Sequence, residues 1–485
     1  MSSPHSRLRT EWCPSIPREL MAGAVATFAL IPEVIAFSFV AGVDPAVGLF
    51  ASFVISIVIA FTGGRPAMVS AAAGSVALVA APLVHAHGLP YLLAAGVLAG
   101  AMQILFGLLR LGVLMRFVST SVRTGFVNAL AILIFAAQMP HFIGANTATW
   151  AMVALGLAII YLLPRITTAV PSPLVCIVVV TLAGHWLGLP LKTVADLGHL
   201  PDALPVFAWL SVPMSLETLR IIALPAFAIA MVGLLESMMT ASVVDDLTDT
   251  PSSKNRECSG LGVANVAASF FGGIAGCGMI GQTVSNVRYG GRGRLSTMFA
   301  GVFLLVLMML LKPWVSQVPV AALVAIMVMV SASTFDWGSL RTLVRHPRMS
   351  SAVMLATVAV TVATDNLAAG VATGVMLSGV FFTFKVARLL HVYAEIGEGG
   401  VRVYRVTGQV FFASADMLVD AFDVRVIDGA PVHIDVSRAH FWDVTAVAAL
   451  NKIVERLRKH GSVVEVTGLN QASQDLILRL DTTLD

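Results

Sequence analysis

Apolar stretches long enough to cross a lipid bilayer follow one another from residue 18 to residue 392. Hydrophobic residues make up 57% of the whole chain and charged residues only 12%, which is about half the charged share of an average soluble domain. Because the bilayer core holds no water to bond the backbone, such stretches must form helices. The sequence therefore predicts an all-α polytopic membrane domain over residues 18–392.

Fourteen crossings are predicted if two short, interrupted segments are counted with the continuous ones. A connection rich in Pro and Gly at residues 190–217 separates seven crossings from seven others. Since seven is an odd number, the second half must enter the bilayer in the orientation opposite to that of the first. We therefore predict an inverted repeat with its halves at residues 18–188 and 218–390.

Lys and Arg residues predict the orientation. If the N-terminus is cytoplasmic, the inner loops receive nearly all basic residues of the membrane domain, and the outer loops hold only Lys192, Arg220 and Lys312. Inner loops of membrane proteins carry such an excess of basic residues. We therefore expect an integral protein of the cytoplasmic membrane with both termini in the cytoplasm, including an N-terminal tail at residues 1–17.

The two interrupted segments are the third and tenth crossings, Ser70–Ser75 and Gly276–Asn286, and small residues are frequent in both. Paired interruptions of this kind mark the midplane binding site of inverted-repeat transporters. A helix that starts at the midplane leaves free N–H groups and about half a positive charge there. Two such starts, expected at Ser70–Gly74 and Gln282–Thr283, can form an anion site without a cation. The alternative is that the small residues only let helices pack closely.

Two carboxylates lie deep in the predicted crossings, Glu33 in the first and Glu236 in the eighth, which are corresponding crossings of the repeat. An ionisable side chain at membrane depth is costly and usually functional. Thr240 lies one turn after Glu236 on the same face of its helix. The alternative is that each glutamate is structural and bonded to a buried donor.

Three motifs resemble the sulfate permease (SulP) family of anion transporters: Pro32–Phe37, Gly233–Glu236 and Gly278–Asn286. The resemblance extends over nearly the whole chain. It implies a core subdomain that moves against a gate subdomain, a homodimer, and a small anion substrate such as sulfate, bicarbonate or a dicarboxylate. The site residues that it implies are Glu33, Phe37, Ser70, Ala71, Ala72, Ala73, Gln282 and Thr283 for substrate binding, and Glu236 and Thr240 for ion coupling.

Two departures from the family pattern bear on the coupling ion. The family often has Gln at the position of Glu33, and many members have Arg at the position of Gln282. The predicted site therefore has one more carboxylate and one fewer fixed cation, so at least one carboxyl should be protonated when an anion is bound. This favours symport with protons. Sodium is the less favoured ion, because members that couple to sodium tend to have Asp in place of Glu236. Anion exchange and a nucleobase-type proton symporter of the same fold are the alternatives.

Charged residues return at ordinary density in residues 393–485. Alternating and buried strands are predicted at Val401–Val406, Val432–Val436 and Ser462–Thr467, with an amphipathic helix between the last two. This pattern resembles a STAS domain (sulfate transporter and anti-sigma factor antagonist), a small cytoplasmic α/β domain. The Asp-Ser-Ser-Gly motif that some relatives phosphorylate is Asp443-Val-Thr-Ala446 here, which argues against phosphorylation.

Other classes of function have less support in the sequence. We find no nucleophile triad, phosphate-binding loop or metal-ligand motif, so we expect neither an enzyme nor a cofactor other than the coupling ion. The net charge of +3 gives no reason to expect nucleic acid as a partner. A sensor that signals through its C-terminal domain is the alternative from a different class, and it would bind an anion without transporting it.

Cysteine labelling in intact cells tests the orientation. On a cysteine-free background, cysteines placed at Gly144 or Asp196 should react with an impermeant maleimide from outside, because these loops carry few basic residues. Cysteines at Arg345 or Gly400 should react only after permeabilisation. The reverse pattern of labelling would contradict both the orientation and the inverted repeat.

Overall fold

The structure, a computed structural model, describes residues 11–12, 14–113, 118–167, 171–201, 203–345, 347–397, 400–423 and 429–480. Most of the predicted N-terminal tail, with Arg7 and Arg9, and the inner-loop residue Arg116 lie outside the described residues. The chain forms two compact units, Met1–Val375 and Met376–Asp485. Each unit is described by itself below.

Helices dominate the first unit. Within the described residues, nine helices are long and apolar enough to span a membrane, and three shorter apolar helices accompany them. With two more helices, which have a lower apolar content, these form fourteen segments at the predicted positions, so the predicted polytopic helical domain is confirmed. The segments are α1 Ile16–Val40, α2 Pro45–Thr62, α3 Gly74–His87, α4 Leu89–Leu108, α5 Thr120–Ala136, α6 Thr147–Ile166, α7 Ser172–Trp186, α8 Leu216–Thr248, α9 Lys254–Phe270, α10 Ile280–Arg288, α11 Arg294–Val315, α12 Val320–Thr334, α13 Arg348–Thr364 and α14 Leu367–Ala387.

Helices α3 and α10 are half-crossings. A two-residue strand precedes each of them, β1 (Ser70–Ala71) before α3 and β2 (Cys277–Gly278) before α10. The two strands pair antiparallel, with Ser70 opposite Gly278 and Ala71 opposite Cys277. The pairing brings together the corresponding segments of the two halves, as an inverted repeat requires. It also satisfies backbone groups that would find no water in the middle of a bilayer.

Hydroxyl side chains of the neighbouring helices bond the outer backbone groups of this strand pair. The Ser56 hydroxyl on α2 donates to the carbonyl oxygen of Ser70 at 2.9 Å. On the other side, the Gly278 N–H donates to the Ser237 hydroxyl at 2.9 Å, and the Thr240 hydroxyl donates to the Gly278 carbonyl at 2.9 Å. The irregular backbone is therefore enclosed by protein donors and acceptors, which membrane proteins need at this depth.

The helices of the first unit pack into two groups. Helices α1–α4 pack with α8–α11, mainly through α4 against α8 and α9 and through α11 against α1 and α2. Helices α5–α7 pack with α12 and α13, mainly through α5 against α12 and α13 and through α6 against α7 and α12. We call these the core group and the gate group. The main contacts between the groups join α1 and α3 to α5, α7 and α12.

The second unit contains a four-stranded sheet in the order β3–β4–β5–β6. Strand β3 is antiparallel to β4, and the other neighbours are parallel. Buried side chains of the sheet, among them Val406 and Ile434, form one core with Leu450 and Leu457 of a helix. The elements are β3 His391–Ile396, β4 Arg402–Val410, α15 Ala415–Asp420, β5 Val432–Phe441, α16 Val444–Lys459, β6 Val464–Thr467 and α17 Gln471–Arg479. The predicted α/β domain is confirmed.

Asp443, in the motif that we compared with a phosphorylation site, caps helix α16. One carboxylate oxygen accepts a hydrogen bond from the Ala446 N–H and the other from the Phe412 N–H, both at 2.8 Å. Such a side chain satisfies N–H groups that the helix leaves free. Thr445 is exposed in the first turn of the helix. The aspartate therefore has a structural task in this domain.

Two glycines test the importance of the strand pair. A Cβ atom at Gly276 would lie 2.1 Å from the Ala71 carbonyl oxygen, whereas one at Gly281 would have no atom within 4 Å. We expect Gly276→Ala to destabilise the protein by roughly 1–3 kcal/mol, because the packed backbone must move. Gly281→Ala is the control and should change stability little. Equal thermal unfolding temperatures of the two variants in detergent would contradict this account.

Candidate functional site

A cavity of about 310 Å³ lies between the core group and the gate group. Its core wall comes from α1, α3, α8 and α10, and its gate wall from α5, α7 and α12. The two halves of the repeat therefore both contribute to one cavity, at the point where the two half-crossings meet.

The N-termini of α3 and α10 face this cavity. The first backbone hydrogen bonds of the two helices run from Ala77 to Ala73 and from Thr283 to Met279, at 2.9 and 3.0 Å. The preceding N–H groups of both helices have no backbone partner in the described structure, and neither helix has a side-chain cap. Free N–H groups and the helix dipole together attract an anion. The N–H groups belong to Gly74, Ser75 and Val76 in α3 and to Ile280, Gly281 and Gln282 in α10.

Two carboxylates line the same cavity. Glu236 accepts hydrogen bonds from the Ser75 hydroxyl and from the Cys277 thiol, the latter at 3.0 Å. Glu33 lies close enough to the side chain of Gln282 and to Glu236 to interact with both. Glu236 is therefore bonded to both half-crossings, and Glu33 lies beside the start of α10.

The predicted site residues separate into two sets. Glu33, Phe37, Glu236 and Gln282 line the cavity. The other six predicted residues do not line the cavity and are fully buried. They are Ser70, Ala71, Ala72, Ala73, Thr240 and Thr283.

The buried set supports the half-crossings. Ser70 and Ala71 form strand β1. The Thr283 hydroxyl accepts a hydrogen bond from the Val69 N–H at 3.0 Å, and Thr240 bonds the backbone of Gly278. These residues hold the backbone that presents the free N–H groups, and they do not themselves reach the cavity.

The helix starts differ in detail from the sequence-based expectation. Helix α3 begins at Gly74, the last residue of the expected range, and α10 begins at Ile280, two residues before Gln282. Neither start has a Ser, Thr, Asp or Asn at the capping position, which is the usual signal for a helix start in a sequence. The expected substrate-binding residues therefore did not include Gly74, Ser75 and Gly281, although all three lie in the two segments that the sequence analysis singled out.

The gate wall was also missed by sequence reasoning. Phe126 and Leu130 of α5 and Ile326 and Val330 of α12 each lie one turn apart on their helices, and all four line the cavity. Ser333 near the end of α12 adds a hydroxyl. An apolar pair at this spacing looks the same whether it faces a cavity, a neighbouring helix or lipid. Only the tertiary packing distinguishes these cases.

The cavity contains no basic side chain among its described lining residues. No cluster of His, Cys, Asp or Glu that could hold a metal ion occurs in the described parts of the chain. The positive potential of the cavity therefore comes from backbone N–H groups, and its ionisable groups are carboxyls.

The model of the sulfate permease family matches residues 16–154 and 145–357. The chain belongs to the sulfate permease family. The model of the STAS domain matches residues 396–482, so the predicted C-terminal domain is confirmed. This family consists of transporters, and the first unit is its membrane domain.

Similar proteins support this assignment. The chain is 49% identical over 473 residues to the putative sulfate transporter YbaR of Bacillus subtilis, with 98% of both chains covered. It is 26% identical to the bicarbonate transporter BicA of Picosynechococcus, with 95% of this chain and 90% of BicA covered.

Solved structures share the fold. The transmembrane domain of a cyanobacterial BicA matches with a TM-score of 0.67 at 26% identity, covering 73% of this chain and 97% of that one. The murine anion transporter Slc26a9 in the inward-facing state matches with a TM-score of 0.83 at 18% identity, covering 96% and 87%. The second likeness shows a shared fold.

A bulky side chain at the start of α10 should block the central cavity. Gly281→Leu would place its side chain in open space, so we expect uptake of radiolabelled anion into proteoliposomes to fall by about tenfold or more while the thermal unfolding temperature changes little. Ala72→Leu is the matched comparison. It lies in a fully buried position and should destabilise the protein instead, by about 1–3 kcal/mol. Normal uptake by a folded Gly281→Leu variant would place the anion elsewhere.

Proposed function

We propose that the chain is a secondary active transporter that carries a small anion together with protons. The anion binds in the central cavity, between the N-termini of α3 and α10. The observation that supports this most strongly is the meeting of two uncapped helix N-termini and two carboxylates in a cavity without a basic side chain. Sulfate, bicarbonate and small dicarboxylates are the substrates that we propose, since relatives are named for sulfate and bicarbonate.

Charge balance in the cavity explains the coupling. Each helix N-terminus contributes about half a positive charge, so the two together balance about one negative charge. Two ionised carboxylates already exceed that balance, and an anion would bring further negative charge at short range. Protonation of one carboxyl removes this conflict. The anion and the proton should therefore each raise the affinity of the cavity for the other by the same factor.

Glu236 is the proposed proton carrier. It is bonded to Ser75 in the first turn of α3 and to Cys277 in strand β2, so it contacts both half-crossings. A change in its charge acts on the two helix N-termini that hold the anion. Glu33 contacts Gln282, and we propose that it shapes the anion site and has a weaker effect on coupling.

Transport requires the cavity to face each side of the membrane in turn. We propose that the core group, which carries both helix N-termini and both carboxylates, moves as one body against the gate group. The contrast between the two walls supports this, because the gate wall is mainly apolar and can slide past the core wall without breaking strong polar contacts. Proton and anion would then cross together in the core group.

Replacement of Glu236 tests the coupling. Glu236→Gln keeps a hydrogen-bonding group of similar size but cannot carry a proton. We expect it to retain anion binding or anion exchange in proteoliposomes and to lose accumulation driven by an inward proton gradient by about tenfold or more, which is within the usual range of coupling between sites. Glu33→Gln is the matched control and should have a milder effect.

Three outcomes of these measurements would count against the proposal. If Glu236→Gln still accumulates the anion against its gradient, Glu236 is not the proton carrier. If accumulation by the unaltered protein follows a sodium gradient and ignores the proton gradient, sodium is the coupling ion. Anion binding without any flux in the unaltered protein would favour a sensor over a transporter.

A further inference from the structure

A second cavity, of about 300 Å³, lies at one end of the gate group and apart from the central cavity. Three segments form it: the start of α5, the short helix Trp337–Arg345 and the start of α13. Its wall is rich in hydroxyl groups, and no carboxylate is among its described lining residues. The hydroxyl side chains that line it are Thr120, Ser121, Thr124, Thr342, Ser350 and Ser351.

Some of these hydroxyls hold the wall together, and others are available. The Ser351 hydroxyl donates to the Leu343 carbonyl at 2.9 Å, which ties α13 to the short helix. The hydroxyls of Ser121, Thr124 and Ser350 make no hydrogen bond to any described part of the protein. The cavity therefore offers donors to a ligand from two of its walls.

Each wall also carries arginine next to its lining residues. Arg123 lies on α5, Arg341 and Arg345 on the short helix, and Arg348 at the start of α13. None of the four forms a salt bridge with a carboxylate of the described residues. Arg123 bonds the Thr120 hydroxyl at 3.1 Å, and its Nε atom is buried without a partner. None of the four arginines is among the described lining residues, but each lies on a segment that forms the cavity, and none is paired with a described carboxylate.

The short helix indicates the depth of this cavity. Trp337 and Leu340 are 63% and 52% exposed, while Arg341 and Arg345 follow on the adjoining face of the same helix. A helix with one apolar and one basic face lies in the interface between lipid tails and headgroups. The cavity beside it is therefore at the level of the lipid headgroups.

We propose that this cavity binds the phosphate group of an anionic phospholipid. A phosphate oxygen accepts hydrogen bonds from hydroxyls and from arginine, and basic pockets between membrane helices bind such headgroups. Lipid fits the site better than a free anion because the wall continues into exposed apolar surface. Leu355 of α13, next to the cavity residue Met354 and one turn beyond the cavity hydroxyl of Ser351, is 51% exposed and can contact an acyl chain.

The bound headgroup would link the bilayer to the wall of the central cavity. Helix α5 carries Thr124 in the headgroup cavity and Phe126 in the central cavity. A lipid that joins α5, the short helix and α13 would hold the gate group together at this end. The rate of transport should therefore depend on the anionic lipid content of the membrane.

Native mass spectrometry of the full chain, released from nanodiscs of phosphatidylcholine with or without phosphatidylglycerol, tests the proposal. The unaltered protein should retain phosphatidylglycerol. A basic residue near the membrane surface contributes about 1 kcal/mol to the binding of an anionic lipid. We therefore expect the double variant Arg123→Gln/Arg348→Gln to bind phosphatidylglycerol about fivefold more weakly for each arginine removed. Arg123→Lys keeps the charge and should retain most of the binding.

The controls separate this site from general attraction and from a free phosphate site. Arg165→Gln removes a basic residue at the end of α6, outside the cavity, and should leave lipid binding unchanged. Glycerol phosphate added to phosphatidylcholine nanodiscs should not bind at comparable concentration. Equal retention of phosphatidylglycerol by the double variant and Arg165→Gln, or equally tight binding of glycerol phosphate, would overturn the proposal. If the double variant does not fold, the single variants Arg123→Gln and Ser121→Leu replace it in the same measurement. Ser121→Leu fills the cavity, and both variants should retain less phosphatidylglycerol than the unaltered protein.

Discussion

The short antiparallel pairing of β1 with β2 is the contact on which the rest of the membrane domain depends. An unbonded backbone group in an apolar environment costs several kcal/mol, and each half-crossing exposes several of them. The strand pair satisfies the inner groups of both half-crossings, and hydroxyls such as that of Ser56 satisfy outer groups. Since the strands also fix where α3 and α10 begin, the same contact that removes the backbone penalty aims two helix N-termini at one cavity.

A cavity built in this way has a particular kind of electrostatics. Its positive potential comes from N–H groups that cannot be lost by titration, whereas its negative groups, Glu33 and Glu236, can take up protons. The charge of the cavity is therefore set by protons alone among the described lining residues. A family member with an arginine at the position of Gln282 would hold an anion with a fixed charge and would have less need of a proton. The proton coupling that we propose for this chain would thus follow from a side-chain difference on a shared backbone site.

The sequence predicted the fold more completely than the site. Apolar length and the distribution of Lys and Arg were sufficient to place fourteen segments, because both follow directly from the properties of a bilayer. The carboxylates Glu33 and Glu236 could also be found, since an ionisable side chain at membrane depth is costly and is usually kept for function.

The residues around Ala72 were harder to interpret. Small side chains occur both where a ligand approaches the backbone and where two backbones pack. Here Ala71 lies in the strand pair, and the Ala72 N–H beside it donates to the Ser52 hydroxyl. The gate wall could not be found at all, because the apolar pair Phe126 and Leu130 carries no mark of the surface it faces.

The two carboxylates are arranged crosswise between the repeats. Glu33 belongs to the first half and lies beside Gln282 of the second, while Glu236 belongs to the second half and accepts a hydrogen bond from Ser75 of the first. The surroundings of the two helix starts still differ. A Cβ atom at Gly74 of α3 would lie 2.6 Å from the Phe37 ring, whereas one at Gly281 of α10 would have no atom within 4 Å. The side of α3 at Gly74 is therefore covered by the Phe37 ring, whereas the side of α10 at Gly281 is open. Glu236 also accepts a hydrogen bond from the Cys277 thiol, which lies just before α10 in its own half of the repeat. This carboxylate is therefore bonded to both half-crossings, and under the proposed function a change in its protonation would act on both helix starts.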